Sequence, residues 1–292
     1  MCFVVDSCKF YADRSPRLFV AIAHPFAIAI VIGCTMFLVL TEMLFVVPTM
    51  FGAESLAYKI YWMLAVYISY NIFANLLAVY CTDTSVDGLT QEQRSPKPEE
   101  ARLWHRCDLC KMLVPPRSWH CKLCRCCILR RDHHCIFTAT CVGLKNQRYF
   151  FWFNFYMTLG TAIALATNYF YLFTENNSLA FLQVRFTLNI FMAIDYGLDW
   201  DNWSIWMDLI VLINVFAFVA PVIMLGYQVA LILANATFHK SSESVYNLGV
   251  LENIRIILGK RWYWTFLSPV VQSPLPLDGT RWKTKTLPTK LL

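Results

Sequence analysis

Eight cysteines and three histidines fall within the 35 residues from Cys107 to Cys141, and no other stretch restricts the fold so tightly. They run Cys107-x2-Cys110-x9-His120-Cys121-x2-Cys124-x2-Cys127-x4-Asp132-His133-His134-Cys135-x5-Cys141, with Cys126 beside Cys127. C-x2-C pairs closed by distant thiolates and imidazoles are what tetrahedral zinc requires. The run offers ligands for two such sites. It has little regular apolar pattern, so metal binding supplies most of its folding free energy.

Around this run the chain is 58% hydrophobic and only 15% charged, too apolar for an ordinary soluble domain. Four stretches, about Leu18–Leu40, Ile60–Tyr80, Phe150–Phe173 and Leu209–Leu233, reach the roughly 20 residues that cross a bilayer as a helix. The first is too long for a signal-peptide core and has no small-residue cleavage site behind it, so it reads as a span. The expected fold class is an all-α polytopic membrane protein. Four transmembrane helices would carry a cytosolic cysteine-rich domain binding two zinc ions.

Orientation follows from the basic residues. Lys9, Arg14 and Arg17 precede the first span, twelve Lys or Arg lie between spans two and three, and eight follow span four. The remaining loops hold Arg185, with Lys59 at a span edge. Basic residues stay on the cytosolic side, which puts both termini and the central loop there. The sequons Asn176-Asn177-Ser178 and Asn202-Trp203-Ser204 fall in the opposite, lumenal loop; a third, Asn235-Ala236-Thr237, would be cytosolic and unused. A reduced cytosolic loop makes its cysteines metal ligands or reactive thiols rather than disulfides. The net charge of +6 then reflects topology and attraction to anionic lipid. Nucleic acid is not an expected partner, because a finger tied between two spans cannot easily reach a groove.

The domains expected are a cytosolic arm (1–17), spans one and two with a short lumenal turn (18–81), a cytosolic linker and zinc domain (82–148), spans three and four with a lumenal loop (149–234), and a cytosolic tail (235–292). Glu42, Pro48 and Glu54 mark the lumenal turn. Residues 84–102 read as a flexible linker. The apolar piece Leu179–Ile194 reads as a surface-lying helix rather than a fifth span, and the last twenty residues, with Pro274, Pro276 and Pro288 among lysines, as disordered. Cys2 and Cys8 read as incidental thiols, and His24-Pro25 in span one as structural. Asn71 and Asn75, one helical turn apart, read as packing groups that hydrogen-bond across helices. The chain shows no internal repeat.

The run Cys107–Cys141, with Asn146 and Phe150 after it, resembles the cysteine-rich domain of the Asp-His-His-Cys (DHHC) protein S-acyltransferases. The resemblance implies that Cys107, Cys110, His120 and Cys127 bind one zinc, and Cys121, Cys124, His134 and Cys141 the other. Cys126 and Cys135 are then left over, and only Cys135 adjoins an unliganded histidine and an aspartate. His133 would act as base, Asp132 would orient it, and the Cys135 thiolate would be the nucleophile. The donor implied is a long-chain acyl-CoA, palmitoyl-CoA first, with the chain passing through a Cys135 thioester to cysteines of membrane-associated proteins. Arg130, Arg131, Lys122 and Arg125 are candidates for the CoA phosphates, although each could equally face anionic lipid. Phe137 holds an aromatic where the family has tryptophan against the acyl end. The implied home is a secretory-pathway membrane, Golgi or ER, with the plasma membrane as alternative, and an accessory subunit is conceivable.

The chain departs from the family in three places. Thr82-Asp83-Thr84-Ser85 replaces Asp-Pro-Gly after span two, and Ile136-Phe137-Thr138-Ala139-Thr140-Cys141 replaces Pro-Trp-x-Asn-Asn-Cys. Ala236-Thr237-Phe238-His239 stands where Thr-Thr-x-Glu would fall. Tyr246-Asn247-Leu248-Gly249 with Asn253 is similar to the family's tail motif, whose asparagine ties the tail to the spans. Trp262, Tyr263, Trp264 and Phe266 suit an interfacial anchor. The departures leave a second class open, a zinc-stabilised membrane scaffold without turnover. Architecture and chemistry separate on mutation. Cys135→Ser is expected to keep two zinc ions per chain by elemental analysis, whereas Cys121→Ser loses zinc and misfolds.

Overall fold

The computed structural model describes residues 14–176, 203–240 and 244–285. Cys2, Cys8, Asn177, Ser178, the piece Leu179–Ile194, Asn202 and Pro288 lie outside them. Helix α1 (Pro16–Thr41) passes through a π-helical turn (Glu42–Val46) into the short α2 (Val47–Phe51). Helices α3 (Leu56–Cys81), α4 (Gln147–Asn176), α5 (Trp203–Ala234) and α6 (Val250–Leu258) follow. The segments Pro16–Phe51, Leu56–Cys81, Gln147–Thr174 and Trp206–Ala234 are each long and apolar enough to cross a bilayer. The chain is an integral membrane protein with four candidate spans.

The first of these outruns its expected end. Glu42 and Pro48 belong to the helix, and the chain turns only at Gly52, whose φ of +76° suits glycine. Pro48 lies inside this continuous helix, just past the π-helical turn, and donates no backbone hydrogen bond there.

The chain divides into two compact units, one of residues up to 31, 73–153 and from 226 onward, the other of residues 32–72 and 154–225. The second packs Leu38, Val46, Tyr171, Leu172, Met207 and Ile210 into its own apolar cluster. The first contains the cysteine-rich run, folded as three two-stranded antiparallel hairpins. These are β1 (His105–Cys107) with β2 (Met112–Val114), β3 (Trp119–Cys121) with β4 (Cys126–Ile128), and β5 (His133–Cys135) with β6 (Thr140–Val142). One core joins the first two hairpins to the end of α5 and to α6, through Val86, Leu89, Val114, Cys127, Leu129, Leu144, Ile232, Ile256 and Ile257.

The segment after α3 is no free linker. The Asp83 carboxylate accepts the Ser85 amide at 2.8 Å, and Ser85 Oγ accepts the Gly88 amide at 3.2 Å, so the retained acid builds a tight turn. The Thr84 carbonyl accepts the Leu129 amide at 2.9 Å, Thr84 Oγ1 accepts the Lys145 amide at 3.2 Å, and Val86 and Leu89 are buried. Flexibility expected from composition is overridden by these partners. The same holds for the tail. Arg148 donates to the Ser273 carbonyl at 2.7 Å, the Lys260 amide donates to that of Pro274 at 3.0 Å, and Leu275, Leu277 and Trp282 pack on the core. Buried Arg117 lies 4.4 Å from the ring centres of both Tyr246 and Trp282.

Two asparagines fasten the unit. Asn146 accepts the Gly143 amide at 2.8 Å and donates to the carbonyls of Cys141 (2.9 Å) and Val79 (3.2 Å), binding β6 to α3 at the start of α4. Asn253 accepts the Leu248 amide at 3.0 Å and donates to the Leu233 carbonyl at 2.6 Å, docking α6 on the end of α5. Both are fully buried. Asn235 of the third sequon is also buried, its amide oxygen held by Arg117 and Arg130, which closes it to glycosylation. Asn253→Leu removes the partner of the Leu248 amide and of the Leu233 carbonyl, both in part-buried bonds, at about 1 kcal/mol each. The variant is expected to expose residues 244–285 to limited proteolysis while the spans stay protected.

Candidate active site and metal centres

Among the described residues, eight ligands gather into two clusters, Cys107, Cys110, His120 and Cys127, and Cys121, Cys124, His134 and Cys141. Within each, the ligand atoms lie within 4.8 Å of one another. His120 Nδ1 stands 3.8, 3.2 and 4.0 Å from the sulfurs of Cys107, Cys110 and Cys127. His134 Nδ1 stands 3.6, 3.2 and 3.6 Å from those of Cys121, Cys124 and Cys141. Tetrahedral zinc, with bonds of about 2.3 Å to sulfur and 2.0 Å to nitrogen, separates such atoms by about 3.6 Å. Both donor sets fit zinc, bound through Nδ1 of each histidine. When bound, the metal cross-links strands; every ligand position is filled by protein, so it offers no open site for chemistry.

The hairpins recur every 14 residues, a repeat that the sequence did not disclose. Cys107, Cys121 and Cys135 end the first strands and face Met112, Cys126 and Thr140. Lys111, Arg125 and Ala139 take the same left-handed turn, at φ +55°, +56° and +53°. His120-Cys121-x2-Cys124-x2-Cys127 thus superposes in register on His134-Cys135-x2-Thr138-x2-Cys141. The first copy has Arg106 and Leu113 for the histidine and last cysteine, which hides the period. In the first two copies the second cysteine's amide donates to the first one's sulfur, at 3.4 Å (Cys110 to Cys107) and 3.5 Å (Cys124 to Cys121). In the third, Thr138 fills the second ligand position, and Cys135 is a knuckle cysteine outside both clusters.

His133 opens strand β5, and Asp132 immediately precedes it. Asp132 is buried, and its Oδ2 accepts His133 Nδ1 at 3.0 Å and Gln228 Nε2 at 2.9 Å; its Oδ1 accepts the Phe238 amide at 2.6 Å. Behind it, Gln147 Nε2 donates to Gln228 Oε1 at 2.9 Å, and Arg130 donates to Gln147. Sequence reasoning missed both glutamines. Burial alone would raise the Asp132 pKa, but His133, the Phe238 amide and Gln228 outweigh it and hold it low. Burial would likewise lower that of His133, yet Asp132 and the Cys135 sulfur raise it to about 9. Burial pushes the Cys135 thiol up, while His133 and the Thr138 side chain and amide bring it below its usual value. These shifts favour a proton on the imidazole and charge on the sulfur. The His133 ring packs edge-on to Phe150, centres 5.1 Å apart.

The cations fare unequally. Arg130 is completely buried, its guanidinium committed to Gln147, Asn235 Oδ1 (3.2 Å) and the Ala236 carbonyl (2.7 Å). It stabilises the joint between the third hairpin and α5 and has no face for a phosphate, which corrects the expectation for it. Lys122 and Arg125 are exposed on the second hairpin. Arg131 is partly exposed and approaches His239 Nδ1 at 3.5 Å. Phe137 is exposed on the turn of the third hairpin.

Residues 101–245 match the family model described as DHHC palmitoyltransferase. The chain is also 35% identical, over 192 residues, to a Danio rerio protein named "Probable palmitoyltransferase ZDHHC24", an alignment that takes in 62% of each. It therefore spans less than two thirds of that relative's length. With two Cys3His clusters interleaved through three hairpins, and with Asp132-His133-His134-Cys135 at the third, the chain belongs to the DHHC palmitoyltransferase family.

Proposed function

We propose that the protein is a cysteine S-acyltransferase that moves a long acyl chain, palmitoyl first, from CoA to membrane-apposed proteins through a Cys135 thioester. One observation carries the reading: Cys135 stands at a ligand position of a zinc knuckle, belongs to neither cluster, and shares its strand with His133, which is paired to Asp132. A sulfur so held is rigid without being quenched by metal.

The steps use these residues alone. His133 holds the thiol proton while the Cys135 thiolate attacks the acyl carbonyl carbon of the CoA thioester. The new carbon–sulfur bond forms, the bond to CoA sulfur breaks, and His133 returns the proton to the departing CoA thiolate. A substrate cysteine then gives its proton to His133 and attacks the Cys135 thioester, and Cys135 leaves as thiolate. Asp132 keeps the imidazole oriented and offsets its charge throughout. Each methylene of the acyl chain buried among the spans favours binding by about 0.8 kcal/mol. Lys122, Arg125 and Arg131 are the cations proposed for the CoA phosphates, with Phe137 against the acyl end. In this reading both termini and the hairpins face the cytosol of a secretory-pathway membrane.

The scaffold reading draws on Ile136-Phe137 and Phe238-His239, where the family's Pro-Trp and Thr-Thr-x-Glu are lost. Purified wild type given an alkynyl palmitoyl-CoA is expected to take a hydroxylamine-sensitive label, and Cys135→Ser none. Zinc-loaded wild type that stays unlabelled with several chain lengths would establish the scaffold instead. Gln228→Leu removes a hydrogen bond to a buried carboxylate, worth about 1.5–3 kcal/mol. It is expected to slow labelling at least about tenfold with zinc content unchanged.

A further inference from the structure

His24 stands in the first span, eight residues into α1, yet only 8% of its surface is exposed. Its Nε2 lies 3.0 Å from Nε2 of His134. The ring planes are 23° apart with centres separated by 5.1 Å, so the two imidazoles meet tip to tip rather than face to face. The other nitrogen of His134, Nδ1, points into the cluster of Cys121, Cys124 and Cys141. A histidine that gives Nδ1 to a metal carries its remaining proton on Nε2, and that N–H needs an acceptor. The ring of His24 supplies one. An imidazole inside a span is costly, and a specific partner is what retains it there.

We propose that His24 is a positioning residue for the second zinc cluster. It accepts the Nε2 proton of His134, fixes the tautomer that presents Nδ1 to the metal, and pins the third hairpin to the first span. It thereby fixes His133 and Cys135, the covalent neighbours of His134. The consequence for acyl transfer rests on the function proposed above; the consequence for metal retention does not.

The test uses the full chain in detergent and follows zinc release into an excess of a chromophoric chelator, without acyl-CoA. In His24→Phe, which keeps the ring's bulk and removes the acceptor, one zinc per chain should leave about 10- to 100-fold faster. The other should keep its wild-type rate. His24→Gln, whose Oε1 reaches a similar point, should restore slow release. Equal release of both ions at wild-type rates in His24→Phe overturns the proposal, and so does equal acceleration of both, which marks a general packing defect. If His24→Phe does not fold, His24→Asn replaces it, since its shorter amide cannot reach His134. Release from His24→Asn no faster than from His24→Gln then overturns the proposal. Self-acylation measured alongside should fall in His24→Phe and recover in His24→Gln. An unlabelled wild type would overturn the acyltransferase and leave the zinc result to stand on its own.

Discussion

A buried carboxylate must be surrounded by donors or it will not remain charged, and Asp132 is where that requirement organises the molecule. The His133 imidazole, the Gln228 amide and the Phe238 backbone reach it from the hairpin, from α5 and from the chain after α5. Two of these donors are set in turn by further bonds, Gln228 through Gln147 and Arg130, and the chain after α5 through the hold of Arg130 on the Ala236 carbonyl. The side chain that holds the His133 imidazole is thus also the joint between the zinc domain and a span. Strength at that joint and the placing of the His133 ring are one property.

The network also accounts for part of the chain's departure from its family. Where Thr-Thr-x-Glu is expected, the contact to Asp132 comes from the Phe238 backbone amide, which any residue except proline would provide. Likewise the loss of Asp-Pro-Gly leaves a turn built by Asp83 and Ser85 side chains. The lost residues therefore do not remove these two joints. Phe137 is different, since its ring is exposed and nothing within its own hairpin requires it.

Much of this was legible in the sequence because metal ligands and spans announce themselves by residue type and spacing. Cys-x2-Cys pairs and long apolar runs need no knowledge of what folds against them. Arg130, the segment after α3 and the tail beyond Ser273 were misread for the opposite reason. Arginine, Pro-Glu stretches and Pro-Lys tails resemble solvated surface unless their partners are known, and those partners lie up to 185 residues away, as Gln93 and Asp278 do. Gln147, Gln228 and His24 carry no spacing signature at all. A polar side chain in a span becomes intelligible only with the group it faces.

The 14-residue repeat bears on how the third hairpin opens. Strands β5 and β6 contribute His134 and Cys141 to the second cluster, so the third hairpin cannot unzip while that cluster holds its ion. Its local unfolding free energy is then linked to the chemical potential of free zinc, through the binding term that governs any ligand held only by the folded form. The spans answer to the bilayer instead. One chain thus contains two stabilities under separate control, and the sulfur at Cys135 belongs to the one that a metal buffer sets.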